Sequence, residues 1–198
     1  MTLAAVSYEE KRVRVKNYGV LGGKSPLLVD VPGTGGKARR LHVLAAAGLA
    51  EITWAVGRNL GIRLQIASGW RRHRWTSREH YETFVTEKYG SVRAGRKWLA
   101  YDSPHETGLA IDIGVGGLVP NRKTRDEQRE TPLHKWLVDN AHRFGWHPYK
   151  AEPWHWEFPI SKRAWESGEA DDEAIEVDAG DDDGDGDDPC VEDEFEEV

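Results

Sequence analysis

Apolar residues recur every three or four positions in three segments of the 198-residue chain, which is the spacing of one helix face. The first segment covers about 40–60. The second runs from a capping-box pattern at Thr76 to about Tyr89, and the third begins at Thr131-Pro132, where proline suits the first helical turn. The spacing therefore predicts three helices.

Strand-like segments lie around these helices. They alternate apolar and polar residues or are rich in β-branched and aromatic residues, and they cover 13–15, 27–31, 63–70, 108–115 and 154–158. The Gly-rich stretch 31–40 lacks the Ser or Thr after Lys37 that a phosphate-binding loop needs. We interpret it as a plain connection.

The charge of the chain is divided between a basic body and an acidic tail. From Glu166 onward there are 18 Asp and Glu residues and no Lys or Arg, which leaves residues 1–165 with 16 acidic and 27 basic residues, a net charge of +11. A tail of this composition cannot bury enough apolar surface to offset its ordering entropy, so we expect 166–198 to be disordered. The basic body favours anionic partners, but no motif indicates nucleic-acid binding, and we expect none.

The tail also matches the spacing of an EF-hand calcium loop, through Asp181, Asp183, Asp185, Gly186 and Glu192. An Asp-rich tract meets that pattern easily, and Pro189 together with the lack of flanking helical patterns argues against a true EF-hand. Loose binding of Ca²⁺ is the alternative that the composition favours.

Membrane and disulfide classes are excluded by simple counts. No apolar run approaches the roughly 20 residues of a membrane span. The N-terminus lacks the charge order of a secretory signal, so we expect synthesis in the cytoplasm and an unknown delivery route. Cys190 is the only cysteine, which excludes an intrachain disulfide and a cysteine-based zinc site.

Candidate chemistry appears at a carboxylate inside the apolar strand 108–115. Alternate strand residues face opposite sides, so Asp112 lies opposite the face of Ile111 and Ile113. A buried carboxylate is costly without a positive partner. In 154–158 the same alternation separates His155 from the tryptophans beside it.

Two imidazoles and one carboxylate, with a fourth position left for water, form the donor set of a catalytic zinc site. His105, Asp112 and His155 supply this set, and we predict that they bind one Zn²⁺. Glu152 precedes His155 by three residues and is the candidate general base.

The motifs that carry these residues are familiar. S-x-H-x-x-G-x-A-x-D over 103–112 and EPWHW at 152–156 resemble the zinc D-alanyl-D-alanine carboxypeptidase and dipeptidase family. This family includes vancomycin-resistance carboxypeptidases and phage L-alanyl-D-glutamate peptidases. The segments SGWR (68–71) and WLVDNAHRFGW (136–146) are also similar to family motifs, so the resemblance covers roughly 40–160 in the family's order.

The resemblance implies an α+β fold whose small antiparallel sheet carries the zinc site, with about three flanking helices. It implies the same three ligands and the same base, with Arg71 as the cation beside the scissile carbonyl and Ser103 as a substrate contact. We therefore divide the chain into an N-terminal extension (1–39), a zinc peptidase domain (40–165) and the tail (166–198).

The function implied is hydrolysis of peptidoglycan stem peptides, foremost as a D-alanyl-D-alanine carboxypeptidase. Two alternatives stay open. One is an L-alanyl-D-glutamate endopeptidase of the phage endolysin type, and the other is a zinc-containing cell-wall-binding module without catalysis. The oligomeric state is not indicated by the sequence.

Overall fold

Small antiparallel sheets and helices make up the part of the chain that the computed structural model describes, residues 14–96 and 99–172. The strands are β1 (Leu28–Pro32), β2 (Ala38–His42), β3 (Gln65–Ser68), β4 (Ala110–Val115), β5 (His147–Pro148) and β6 (His155–Glu157). The sheet order is β1-β2 in one sheet and β3-β4-β6-β5 in the other, and neighbouring strands in both sheets pair antiparallel.

The mixed fold with small antiparallel sheets that the resemblance implies is therefore present. Within the described ranges the helices are α1 (Val43–Leu60), α2 (Arg78–Tyr89), α3 (Val92–Arg96), α4 (Arg125–Glu130), α5 (Pro132–Asn140) and α6 (Lys162–Ser167). None of these is both long and apolar enough to cross a membrane. The predicted disordered tail begins too early at 166, because Glu166 and Ser167 belong to α6. Beyond Asp172 the tail prediction, including the EF-hand-like residues, lies outside the described residues.

The three long helices confirm the predicted periodicity, with corrections at their ends. α1 ends at Leu60, and Gly61 caps it with φ +68° by donating its N–H to the carbonyl oxygen of Gly57. α2 is capped by Ser77, whose side chain accepts from His80 N, and not by Thr76 as predicted. The N-cap was thus predicted one residue too early, and with His80 at the third helical position the cap is a simple serine cap and not a capping box.

The plain connection predicted at 31–40 is too long, because residues 31–32 end the first strand of a hairpin and residues 38–40 begin its second strand, which leaves 33–37 as the connection. β1 pairs with β2 from Leu28↔His42 to Pro32↔Ala38, around a 3-10 turn at Thr34–Gly36. α1 consequently begins at Val43, not near residue 40. Tertiary pairing outweighs the helical spacing of Leu41, which is completely buried in β2.

The predicted strand at 13–15 is also wrong over its described residues, Arg14 and Val15, which belong to no strand. Val15 N–H donates instead to a Glu157 carboxylate oxygen at 2.6 Å. The backbone of Val15 is therefore bonded to the side chain of Glu157 and not to the backbone of a neighbouring strand.

The main core lies between α1, α5 and one face of β4. Ile111 and Ile113 of β4 pack there with Ile52 of α1 and Leu137 of α5. Trp156 of β6 is 1% exposed and belongs to the same cluster. This burial fixes which face of β4 is apolar, and it turns Asp112 to the other face.

Gly108 ends the 3-10 helix Pro104–Thr107 with φ +76°, and a Cβ there would lie 2.8 Å from the backbone nitrogen of His42. Gly35 has a similar φ of +66° but open space around it. Gly35→Ala is expected to lose about 1–2 kcal/mol of unfolding free energy from backbone strain alone. Gly108→Ala is expected to lose more in urea denaturation, and equal losses would contradict the steric argument.

Candidate metal centre

Asp112 lies between two imidazoles on β4, one of the two inner strands of the larger sheet. In β4 it is in register with His155 of β6 on one side and with Ser68 of β3 on the other. Its Oδ1 is 3.1 Å from His155 Nδ1, and its Oδ2 is 3.3 Å from His105 Nε2. One ligand atom from each of the three residues lies within 4.8 Å of the others. The structure thus brings together the three residues predicted as metal ligands.

His105 presents one free nitrogen to this cluster. Its Nδ1 lies 2.8 Å from the carbonyl oxygen of Gly69, and a carbonyl only accepts, so Nδ1 carries the proton. Nε2 then bears the lone pair, and it is buried without a hydrogen-bond partner in the part of the chain described. Burial lowers the pKa of His105 and outweighs the Asp112 carboxylate, which raises it, while the charge of Arg71 lowers it further. A neutral imidazole oriented through its other nitrogen is the form that binds metals.

His155 is held through both ring nitrogens. Nδ1 faces Asp112, and Nε2 lies 3.3 Å from Glu157 Oε1. Burial opposes a charge on His155, yet the hydrogen bonds to Asp112 and Glu157 outweigh it and raise its pKa to about 10. Burial likewise opposes the charge of Asp112, but the two imidazoles hold the pKa of its carboxyl below the usual range. The cluster therefore favours positive charge beside an ionised carboxylate.

These donors fit a zinc ion. His105 Nε2, His155 Nδ1 and a carboxylate oxygen of Asp112 are the nitrogen and oxygen ligands that zinc prefers, and three protein ligands leave a position for water. The buried, unpartnered Nε2 of His105 is the observation that a bound metal would explain. Each imidazole also has an outer partner, Gly69 O or Glu157, as is usual for metal-bound histidines.

The SGWR segment reaches the site through a close backbone approach. A Cβ on Gly69 would lie 2.6 Å from the carbonyl oxygen of Arg40, and Trp70 N–H donates to that oxygen at 2.6 Å. Only glycine allows this approach, which places the Gly69 carbonyl against His105. Arg71 follows directly, and its charge acts on the imidazole of His105.

Glu152 is fixed by the turn that leads into β6. Its N–H donates to Tyr149 O at 3.2 Å, and its carbonyl accepts from His155 N at 3.0 Å. The residue is 4% exposed, so its carboxylate is almost completely buried. The turn thus ties the predicted base to the strand that carries the ligand His155.

Ser103 caps the 3-10 helix that carries His105. Its Oγ accepts from His105 N at 3.4 Å, and Glu106 Oε2 accepts from Ser103 N at 3.2 Å, which completes a capping box. Glu106 is buried, and its Oε1 also accepts from His73 N at 2.7 Å. Glu106 therefore joins the segment after Arg71 to the helix of His105.

Sequence reasoning did not single out Glu106 or Glu157. The S-x-x-E spacing of Ser103 and Glu106 is a capping-box signal that could have indicated the first. Strand alternation puts Glu157, two residues after His155, on the same face as that ligand, which could have indicated the second. A second group with metal-ligand geometry, formed by His73, Asp102 and Glu106, was not expected either.

Comparison with known proteins adds the family. The family model described as VanY, D-alanyl-D-alanine carboxypeptidase, matches residues 38–161. The chain belongs to the VanY family. The matched range contains all three candidate ligands together with Arg71, Ser103 and Glu152. No curated protein matches the chain.

Two solved structures of VanY proteins and one of an LD-carboxypeptidase are also similar to the chain. A Zn(II) complex of a point mutant of the D,D-pentapeptidase VanY from a VanB-type vancomycin-resistance cassette shares 20% identity at a TM-score of 0.46, covering 82% of this chain and 97% of its own. VanYB in complex with D-Alanine-D-Alanine gives the same identity, TM-score and coverage of this chain, with 95% of its own. The LdcB LD-carboxypeptidase shares 20% identity at a TM-score of 0.37, covering 77% and 91%.

The capping contact of Ser103 predicts a stability effect. Ser103→Ala is expected to lower the unfolding free energy by about 1 kcal/mol, because the N-cap acceptor is lost. Ser161 caps α6 by accepting from Ala164 N, so Ser161→Ala is the matched control and should show a loss of similar size. Urea denaturation of both variants measures this, and an unchanged stability of Ser103→Ala would contradict the capping role.

Proposed function

We propose that this VanY-family chain is a zinc-dependent peptidase that hydrolyses peptidoglycan stem peptides, foremost as a D-alanyl-D-alanine carboxypeptidase. The observation that carries the proposal is the buried carboxylate of Asp112 between His105 Nε2 and His155 Nδ1. The family's description supports the choice of the terminal D-alanine bond. The zinc peptidase domain is proposed to comprise residues 40–165.

His105, Asp112 and His155 would hold the zinc ion, and the ion when bound would polarise the scissile carbonyl and activate water. Glu152 would accept the proton from the attacking water as the new C–O bond forms. The same carboxylic acid would then give the proton to the leaving amine as the C–N bond breaks. Its burial beside the ligand strand favours this shuttle, because a dry site keeps the proton on the reacting groups.

Arg71 would stabilise the negative charge that develops on the carbonyl oxygen. A guanidinium stays charged throughout the reaction and needs no reorganisation if it is held in place. Arg71 is two residues from Gly69, whose carbonyl oxygen contacts His105 Nδ1 at 2.8 Å, and this supports a position near the ligands. Ser103 is proposed to contact the substrate in addition to capping its helix.

The bond that is cut can be read from the products. With purified peptidoglycan pentapeptides, we expect mass spectrometry to show loss of one terminal D-alanine, and complete zinc removal by a chelator to abolish it. Cleavage between L-alanine and D-glutamate would instead identify an endopeptidase of the endolysin type. Binding without any cleavage would identify the non-catalytic module.

Glu152→Gln is expected to lower kcat about 10²–10⁴-fold, because the amide cannot carry the proton. Zinc content should be unchanged, since Glu152 is not one of the ligands. Glu51→Gln, on the exposed surface of α1, is the control and should match the wild-type rate. An active, zinc-loaded Glu152→Gln protein would refute the assignment of the base.

A further inference from the structure

Glu157 lies directly behind the candidate ligand His155 and receives three hydrogen-bond donors. Its Oε1 is 3.3 Å from His155 Nε2 and 3.1 Å from Arg14 Nε, and its Oε2 accepts from Val15 N at 2.6 Å. The side chain is 1% exposed, so water does not compete for these contacts.

The chemistry of the three donors requires a carboxylate at this position. Arg14 and the backbone of Val15 can only donate, and together with His155 they need acceptors on both oxygens. A glutamine would offer one oxygen and turn its NH₂ group toward at least one of these donors. The buried contact is therefore specific for an ionised glutamate.

The contact also determines the form of His155. In the neutral ring that a metal ion would bind, Nε2–H donates to Glu157 at 3.3 Å, and the lone pair therefore lies on Nδ1, the nitrogen that faces Asp112 at 3.1 Å. An outer carboxylate of this kind fixes the tautomer and the ring orientation of a metal-binding histidine, and it increases the basicity of the ligand.

The chain around Arg14 is anchored on the same side of the site. The Arg14 guanidinium stacks 4.5 Å from the ring of Tyr149, and that ring meets the edge of His155 at 5.8 Å. Further along, the hydroxyl of Tyr18 donates to Ile160 O at 2.8 Å. The segment 14–18 is thus attached to Tyr149 and to Ile160, which precede and follow Glu157 in the sequence.

We propose that Glu157 is a positioning residue for the metal ligand His155, and that the N-terminal segment at Arg14 and Val15 is part of its support. This inference rests on the zinc site of the proposed function. In this proposal Arg14 and Val15, which precede the matched range 38–161, contribute to metal affinity without being ligands.

The test is the zinc affinity of the full-length protein, measured by chelator competition at fixed pH. Glu157→Gln is expected to bind zinc about 10–100-fold more weakly than wild type. Arg14→Met should weaken binding in the same direction but less, because Val15 still supports the carboxylate. Glu166→Gln removes an exposed carboxylate paired with Lys162 and should leave zinc affinity unchanged.

A double variant separates a specific positioning role of these residues from a general loss of structure. Arg14 acts through Glu157, so Arg14→Met combined with Glu157→Gln should bind zinc no more weakly than Glu157→Gln alone. The visible spectrum of the cobalt-substituted protein should change in both single variants, because it reports the orientation of the ligands. Fully additive losses would overturn the link from Arg14 through Glu157.

The outcomes distinguish this inference from the proposed function. If wild type binds zinc and Glu157→Gln binds it equally well, the positioning role is wrong and the zinc site stands. If wild type binds no zinc, both fail. Should Glu157→Gln not fold, Arg14→Met decides alone, since Arg14 is partly exposed, and wild-type affinity in that variant would overturn the inference.

Discussion

The site depends on one cross-strand pair, Asp112 in β4 opposite His155 in β6. Its position in the sheet is set by the core, because Ile111 and Ile113 are buried on the opposite face of β4. A shift of one residue would place the carboxylate in the apolar core and an isoleucine at the site. The hydrophobic packing of one strand face thus determines where the polar chemistry of the other face lies.

Around this pair, the outer hydrogen bonds join distant parts of the chain. The helix of His105 is capped by Ser103, tied through Glu106 to the segment after Arg71, and oriented by the Gly69 carbonyl. Buried polar groups need partners, and two of these partners come from outside the helix: the Gly69 carbonyl for His105 Nδ1 and the His73 N–H for Glu106. The same contacts that satisfy these groups bring the proposed catalytic cation close to the ligands.

Sequence patterns predicted the parts of this arrangement that depend on local periodicity. The alternation in β4 and β6 turned Asp112 and His155 toward one face, and the helical spacing located α1, α2 and α5. β1 was predicted as the strand 27–31, but β2 and its pairing with β1 were missed, because Arg39 and Arg40 interrupt any alternation of apolar and polar residues. The importance of Glu157 was missed for a similar reason, since its donors Arg14 and Val15 lie over 140 positions away.

The central claim is that His105, Asp112 and His155 bind one catalytic zinc ion. Anomalous diffraction at the zinc absorption edge, from crystals of the zinc-loaded protein, tests it directly. We expect a single peak about 2.0–2.2 Å from His105 Nε2, His155 Nδ1 and a carboxylate oxygen of Asp112. A peak held by His73, Asp102 and Glu106 instead, or no peak beside Asp112, would contradict the account.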